Sequence, residues 1–290
     1  MHPAPSVIIF TTFSGLGFGL LFWLGLGVIT PTGLSAFIWF AIAYVFAVGG
    51  LLASTFHLGH PERALKAFSQ WKTSWLSREG IAAIATLIIM AIYGAGLVFA
   101  ATPIAILGWI GALGALATVF TTSMIYTQLK TVPRWHHWST PMLFLGLSLG
   151  GGALLAGQVK LTITLLTCAG GLQVFVWITG GARFEQSGSD MQTATGLGNI
   201  GKVRSFAPPH TGSNYLMREF IYVVGRKHAQ KLQVIALVFG FVAPIILLLI
   251  PFNHIFAGLA VLFHIGGVLT LRWLFFAQAE HVVGLYYGMR

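Results

Sequence analysis

The chain has 290 residues, 56% hydrophobic and only 8% charged, and its mean hydropathy is +0.84. Soluble domains carry about 25% charged residues, so this composition excludes a surface that faces water on every side, and lipid must cover much of it. The formal net charge is +10, and the single cysteine, Cys168, excludes an internal disulfide and a cysteine-ligated iron–sulfur cluster within this chain.

A helix needs about 20 apolar residues to cross the hydrocarbon core, and inside it every backbone group must be satisfied within the segment. Stretches at about 6–28, 33–56, 80–101, 104–127, 141–158, 161–181, 231–250 and 255–277 meet this requirement. The first has no Lys or Arg before it and no small-residue cleavage site, so it reads as a mature helix rather than a signal peptide. Gly150-Gly151-Gly152-Ala153 lies inside the fifth stretch with no strand before it, and reads as a helix-packing feature rather than a phosphate cradle. The fifth and sixth are separated only by a short turn near Gln158 and Lys160. The fold class is therefore all-α: one membrane domain, 1–290, of about eight transmembrane helices in two four-helix halves.

The connections after the first, third, fifth and seventh helices are short, whereas 57–79, 128–140 and 182–230 are long and polar. With an even number of spans the long loops and both termini share one face. Of the 16 Lys and Arg residues, all but Lys160 are assigned to that side, Arg272 from within the last span. Under the positive-inside rule this face is cytoplasmic. The charge reads as orientation, attraction to anionic lipid and a docking surface for a soluble subunit, with no need for nucleic acid. Residues from Asn214 to Lys231 read as a basic interfacial helix leading into the seventh span. One echo occurs: Trp75-Leu76-Ser77-Arg78-Glu79-Gly80-Ile81 and Tyr215-Leu216-Met217-Arg218-Glu219-Phe220-Ile221 share the pattern aromatic-Leu-x-Arg-Glu-x-Ile. An even number of helices separates them, so a parallel duplication and chance similarity both account for it.

The chain has six carboxylates, and ionisable groups at a membrane boundary are functional candidates by default. Glu79 opens the third span, where an acid also favours the helix dipole. His57 closes the second span on the same side. A histidine and a carboxylate so placed could hydrogen-bond the oxygens of a quinone and move its protons. Arg63 and Lys66 add positive potential beside them. The second long loop brings Tyr126, Lys130, Trp135, His136 and His137, which suit either an interfacial aromatic belt or the rim of a quinone pocket. A haem held by two histidines requires a facing pair deep in the helices, and only His264 lies well inside a span. No Walker loop, dinucleotide fingerprint or zinc-type cluster is present, so the metal expectation is none. A transporter would show broken helices and mid-membrane charges, for which Arg272 and His264 are the nearest cases.

His57-Leu58-Gly59-His60-Pro61-Glu62-Arg63-Ala64, followed by Leu76-Ser77-Arg78-Glu79, resembles the signature of the DmsC family, the membrane anchors of dimethyl sulfoxide reductase. Tyr126, Thr131-Val132-Pro133 with Trp135, and Thr140-Pro141-Met142 resemble its second signature. The resemblance implies an anchor without metal of its own in a three-subunit complex at a bacterial inner membrane. The partners would be an iron–sulfur subunit docked on the cytoplasmic face and, through it, a molybdenum catalytic subunit carrying molybdopterin. It implies a quinone, ubiquinone or menaquinone, held by His57, Arg63, Ser77, Arg78, Glu79, Tyr126, Lys130, Trp135 and His136, with His57 and Glu79 catalytic. The start Met1-His2-Pro3-Ala4-Pro5 and the long 182–230 loop are more similar to the SoeC branch, which anchors cytoplasmic sulfite-oxidising molybdoenzymes and sends electrons from sulfite to quinone.

Overall fold

The computed structural model describes all residues except 57–59, 61–63, 208–210, 222–227, 252 and 289–290. Its long helices are α1 (Pro5–Gly25), α2 (Gly33–Thr55), α3 (Trp75–Phe99), α4 (Ala105–Thr127), α5 (Ser139–Leu155), α6 (Val159–Gly180), α7 (Ala229–Leu249) and α8 (His254–Ala277). Among the described residues, seven are long and apolar enough to cross a membrane, and α5 is a shorter apolar helix of 17 residues. The protein is an all-helical polytopic membrane protein.

Helices α1 with α2, α3 with α4, α5 with α6 and α7 with α8 pack as hairpins, and the halves α1–α4 and α5–α8 meet through α1 and α5. At about 25 Å, α5 falls short of the roughly 30 Å hydrocarbon core. Its position explains why it tolerates this: α1, α4, α6 and α8 surround it and most of its residues are buried. Lipid offers no hydrophobic drive for helix association, so close backbone approach must supply the contact. Gly19 of α1 and Gly152 of α5 provide it, since a Cβ on either would enter the backbone of the opposing helix. Two polar contacts lock the crossing: Ser148 Oγ donates to the Gly15 carbonyl (2.6 Å) and Trp23 Nε1 to the Leu149 carbonyl (2.9 Å).

Helix α3 starts at Trp75, ahead of the expected 80. Ser74 accounts for this: its extended backbone and side chain, which accepts from the Ser77 N–H at 3.4 Å, form the N-cap. Ser77, Arg78 and Glu79 are therefore helical rather than loop residues. Asn214 caps the echo segment in the same way, accepting from the Met217 N–H at 2.9 Å. The likeness stops there. The helix Tyr215–Phe220 ends after six residues because Ile221 leaves the helical region (φ −118°, ψ 76°). The continuous helix expected from Asn214 to Lys231 is thus interrupted at Ile221, and 222–227 lie outside the described residues.

Within α7, residues Val238–Val242 form a π-turn followed by Pro244. Proline has no N–H, so the Gly240 carbonyl four residues earlier loses its ordinary α-helical donor. His264 of α8 meets it, with Nδ1 2.7 Å from the Gly240 oxygen. Gly267 lets the two helices close on each other at this level, since a Cβ there would strike the Gly240 backbone.

The long loops and termini interlock at one end of the bundle. In 128–138, Val132 and Trp135 are buried, Trp135 Nε1 donates to the Phe275 carbonyl (2.9 Å), and the Val282 N–H donates to Thr131 O (3.0 Å). The terminal ammonium of Met1 donates to Ala279 O (2.7 Å). The third long loop carries short helices at Arg183–Gln186, Met191–Thr195 and Tyr215–Phe220, and two tyrosines of the C-terminal 3-10 turn Val282–Tyr287 hold it. Tyr286 Oη donates to Ala194 O (2.5 Å), and Asn214 Nδ2 donates to Tyr287 Oη (3.0 Å).

Candidate functional site

Glu79 lies in the second turn of α3 and is only 3% exposed. It is not the capping acid of its helix, because Ser74 fills that role. Its carboxylate turns into the bundle and accepts from Thr122 Oγ1 of α4 at 2.6 Å. Thr122 also donates toward its own Thr118 carbonyl (2.9 Å), and below it Thr118 and Thr86 bring their hydroxyls to 3.4 Å. A polar seam thus descends between α3 and α4 from the long-loop end. A buried carboxylate needs such donors or a proton, because an unpaired charge out of water costs several kcal/mol.

Tyr126, one turn beyond Thr122, is buried in an aromatic cage. Its ring stands 5.4 Å from Trp135, 5.7 Å from Phe144, 5.4 Å from Phe275 and 5.5 Å from Phe276. Trp135 and Phe275 stack at 5.0 Å with planes 12° apart. Tyr126 lies within electrostatic reach of both Glu79 and Arg272. It therefore joins the polar seam of the first half to the buried guanidinium of the second.

The structure gathers part of the expected set. Glu79, Tyr126 and Trp135 come together, and Ser77, 1% exposed, lies half a turn before Glu79. Arg78 turns away: its guanidinium sits 4.3 Å from the Trp75 ring centroid and donates to the carbonyls of Trp71 (2.9 Å) and Lys72 (2.6 Å), so it braces the first long loop. Lys130 is exposed on its loop. His136 is exposed too, and its Nδ1 lies 2.7 Å from the Thr127 carbonyl at the end of α4, where it closes the helix. Arg78, Lys130 and His136 are therefore not brought to the Glu79 cluster. His57 and Arg63 lie outside the described residues. Among the described residues no group of three or more His, Cys, Asp or Glu side chains could hold a metal.

Sequence reasoning missed Thr122, Phe144, Phe275 and Phe276. The signal for Thr122 was faint: hydroxyls at 118 and 122 stand one turn apart, but among several other hydroxyls near the end of α4. Arg272 was visible as a charge within a span, but its place above the Phe144 ring (3.6 Å to the centroid) was not.

Charges outside the spans are also tuned. Arg134 is pushed down to about 10, by burial first and then by the Arg183 guanidinium, with Glu280 opposing. His137 is held below the usual histidine range by burial and then by Arg183. Its Nδ1 faces Ser139, 3.2 Å from the N–H and 2.8 Å from Oγ, so the neutral ring serves as an acceptor at the entry to α5. Because the folded state binds this proton more weakly than the unfolded chain, its contribution is complete above about pH 6.5 and falls as pH drops through that value. Solvent screening keeps the loss under about 1 kcal/mol. Thermal unfolding followed from pH 8 to 5 should show His137→Gln with a shallower acid-side decline than the parent; an identical decline removes His137 from the effect.

The family model for DMSO reductase anchor subunits, DmsC, matches residues 1–289. The sulfite dehydrogenase C subunit of Allochromatium vinosum is 32% identical over 325 aligned residues, covering 99% of each chain. No solved structure matches.

Proposed function

The chain belongs to the DMSO reductase anchor family, and we propose that it ties an iron–sulfur subunit, and through it a molybdenum catalytic subunit, to a bacterial inner membrane and passes electrons between them and quinone. The proposed source is sulfite oxidised in the cytoplasm. The similarity to the C subunit of a sulfite dehydrogenase over nearly the whole length of both chains supports that branch.

One observation carries the quinone reading. Glu79 is a buried carboxylate at the long-loop end of the bundle, hydrogen-bonded to a hydroxyl and adjoining an aromatic cage. The basic face at the same end supports docking of the iron–sulfur partner there, with the long loops and termini cytoplasmic. Quinone reduction consumes two electrons and two protons. In this reading Glu79 and His57 hold and move the protons, Tyr126 and Trp135 present flat faces to the ring, and Arg63 supplies positive potential. Molybdopterin and the iron–sulfur clusters reside in the partners.

Gentle purification from native membranes tests the assignment. The expected result is a molybdenum subunit and an iron–sulfur subunit in the same particle, with sulfite reducing a quinone analogue. Turnover of S-oxides or N-oxides with quinol as donor would keep the anchor role and reverse the electron flow. Absence of both partners would sink the anchor assignment for this chain.

A further inference from the structure

Three arginines crowd the long-loop end of the second half. Arg183 donates to Arg134 O (3.1 Å) and to Thr179 Oγ1 (2.9 Å), while Arg134 donates to Gln278 Oε1 (3.3 Å). Both guanidiniums thus have neutral acceptors, and Glu280 lines a cavity beside Arg134. Arg272 differs. It is 4% exposed and six residues before the Gln278 that ends α8, about 9 Å inside the bundle by the rise of a helix. Among the described residues it has no hydrogen-bond acceptor at all; its Nε, like that of Arg183, is sealed from solvent with no partner. The face of Phe144 attracts it, but a ring face satisfies no N–H. Leaving a buried guanidinium like this is costly.

Three small cavities run end to end from the loops to this group. The first opens at Arg134, Gln278 and Glu280. The second shares Arg134 and Gln278 and reaches Gln173. The third shares Gln173 with the second and ends at Arg272. The inner two offer about 30 and about 20 Å³. That admits a water molecule or a monatomic ion and excludes an aromatic headgroup, since one water requires about 10–15 Å³. Size therefore separates this place from the quinone reading. Charge then selects among small occupants. With Arg134 and Arg272 along it, against the one carboxylate of Glu280 at its mouth, the passage favours anions over cations. The Thr140 hydroxyl already donates to Trp135 O (2.8 Å), which leaves the Gln173 amide as the neutral donor beside the guanidinium. Glu79, hydrogen-bonded to Thr122 between α3 and α4, lines none of these three cavities.

We propose that Arg272 and Gln173 form a site for one small monovalent anion of chloride size, reached from the long-loop end past Arg134. The site stands independently of what the Glu79 cluster binds.

The test uses the intact complex in lipid nanodiscs, with sodium chloride titrated against sodium gluconate at constant ionic strength and unfolding followed by intrinsic fluorescence. Chloride should raise the unfolding temperature saturably by about 2–4 °C. Bromide should reproduce the shift and sulfate should not. Arg272→Met should abolish the response, and Arg272→Lys should retain it at a higher midpoint. Should Arg272→Met fail to assemble, Gln173→Leu should raise the chloride midpoint several-fold. Equal unfolding temperatures in the two salts, an undiminished response in Arg272→Met, an unchanged midpoint in Gln173→Leu, or sulfate acting as well as chloride would each overturn the site.

Discussion

Glu79→Gln should leave the anchor in the membrane with its partners bound and lower quinone-coupled turnover at least ~100-fold, the usual scale for losing a positioned acid–base group. The substitution is nearly isosteric, and the amide oxygen still accepts from Thr122 Oγ1, whose present bond to the carboxylate is 2.6 Å. The packing of α3 on α4 is therefore kept, while the ability to take up and release a proton is lost. The measurement is a pair of rates on the same preparation: substrate-driven reduction of a quinone analogue, and substrate-driven reduction of a soluble dye that collects electrons from the partner subunits. Only the first should fall. Thr122→Val should act in the same direction but weakly, by about fivefold, since it removes a single hydrogen bond worth roughly 1 kcal/mol. Normal quinone rates in Glu79→Gln would remove this carboxylate from the reaction.

Gly152→Leu should prevent the protein from accumulating. At this position any Cβ meets the carbonyl and Cα of Gly19, which are backbone atoms and cannot rotate aside. The helices must separate, and with them go the Ser148–Gly15 and Trp23–Leu149 hydrogen bonds. Overpacking alone costs about 1–3 kcal/mol, and two lost hydrogen bonds add about 1 kcal/mol each. Gly171→Leu is the control, because nothing lies within 4 Å of a Cβ there. Membrane-fraction immunoblots of the two variants, expressed side by side, decide the matter. Equal levels would mean that the α1–α5 crossing does not hold the halves together.

Much of this architecture is legible in the residues because the bilayer imposes a length on every span. Apolar runs located the helices to within a few residues, and the even number of spans placed the long loops at one end. The start of α3 was misplaced because Trp75 to Glu79 look like loop residues, yet polar side chains in the first turns of a spanning helix sit at the interface once Ser74 caps it. Glu79 stood out through its rarity, since only six carboxylates exist. Thr122 did not, because hydroxyls in apolar helices ordinarily bond their own backbone, as Thr121 and Thr127 do here. Arg78 was grouped with Glu79 by nearness in sequence, and Lys130 and His136 because the loop that carries them suits the rim of a quinone pocket. Their true directions depend on helix rotation and loop closure, which residue order does not encode.

The bond between His264 and Gly240 carries a consequence for biogenesis. A span threaded alone into lipid must satisfy its own backbone, and in α7 Pro244 deprives the Gly240 carbonyl of its α-helical donor. The missing proton donor sits on the next helix to emerge from the ribosome. The seventh and eighth helices are therefore expected to be more stable in lipid as a pair than singly, because the eighth supplies the proton that the Gly240 carbonyl lacks.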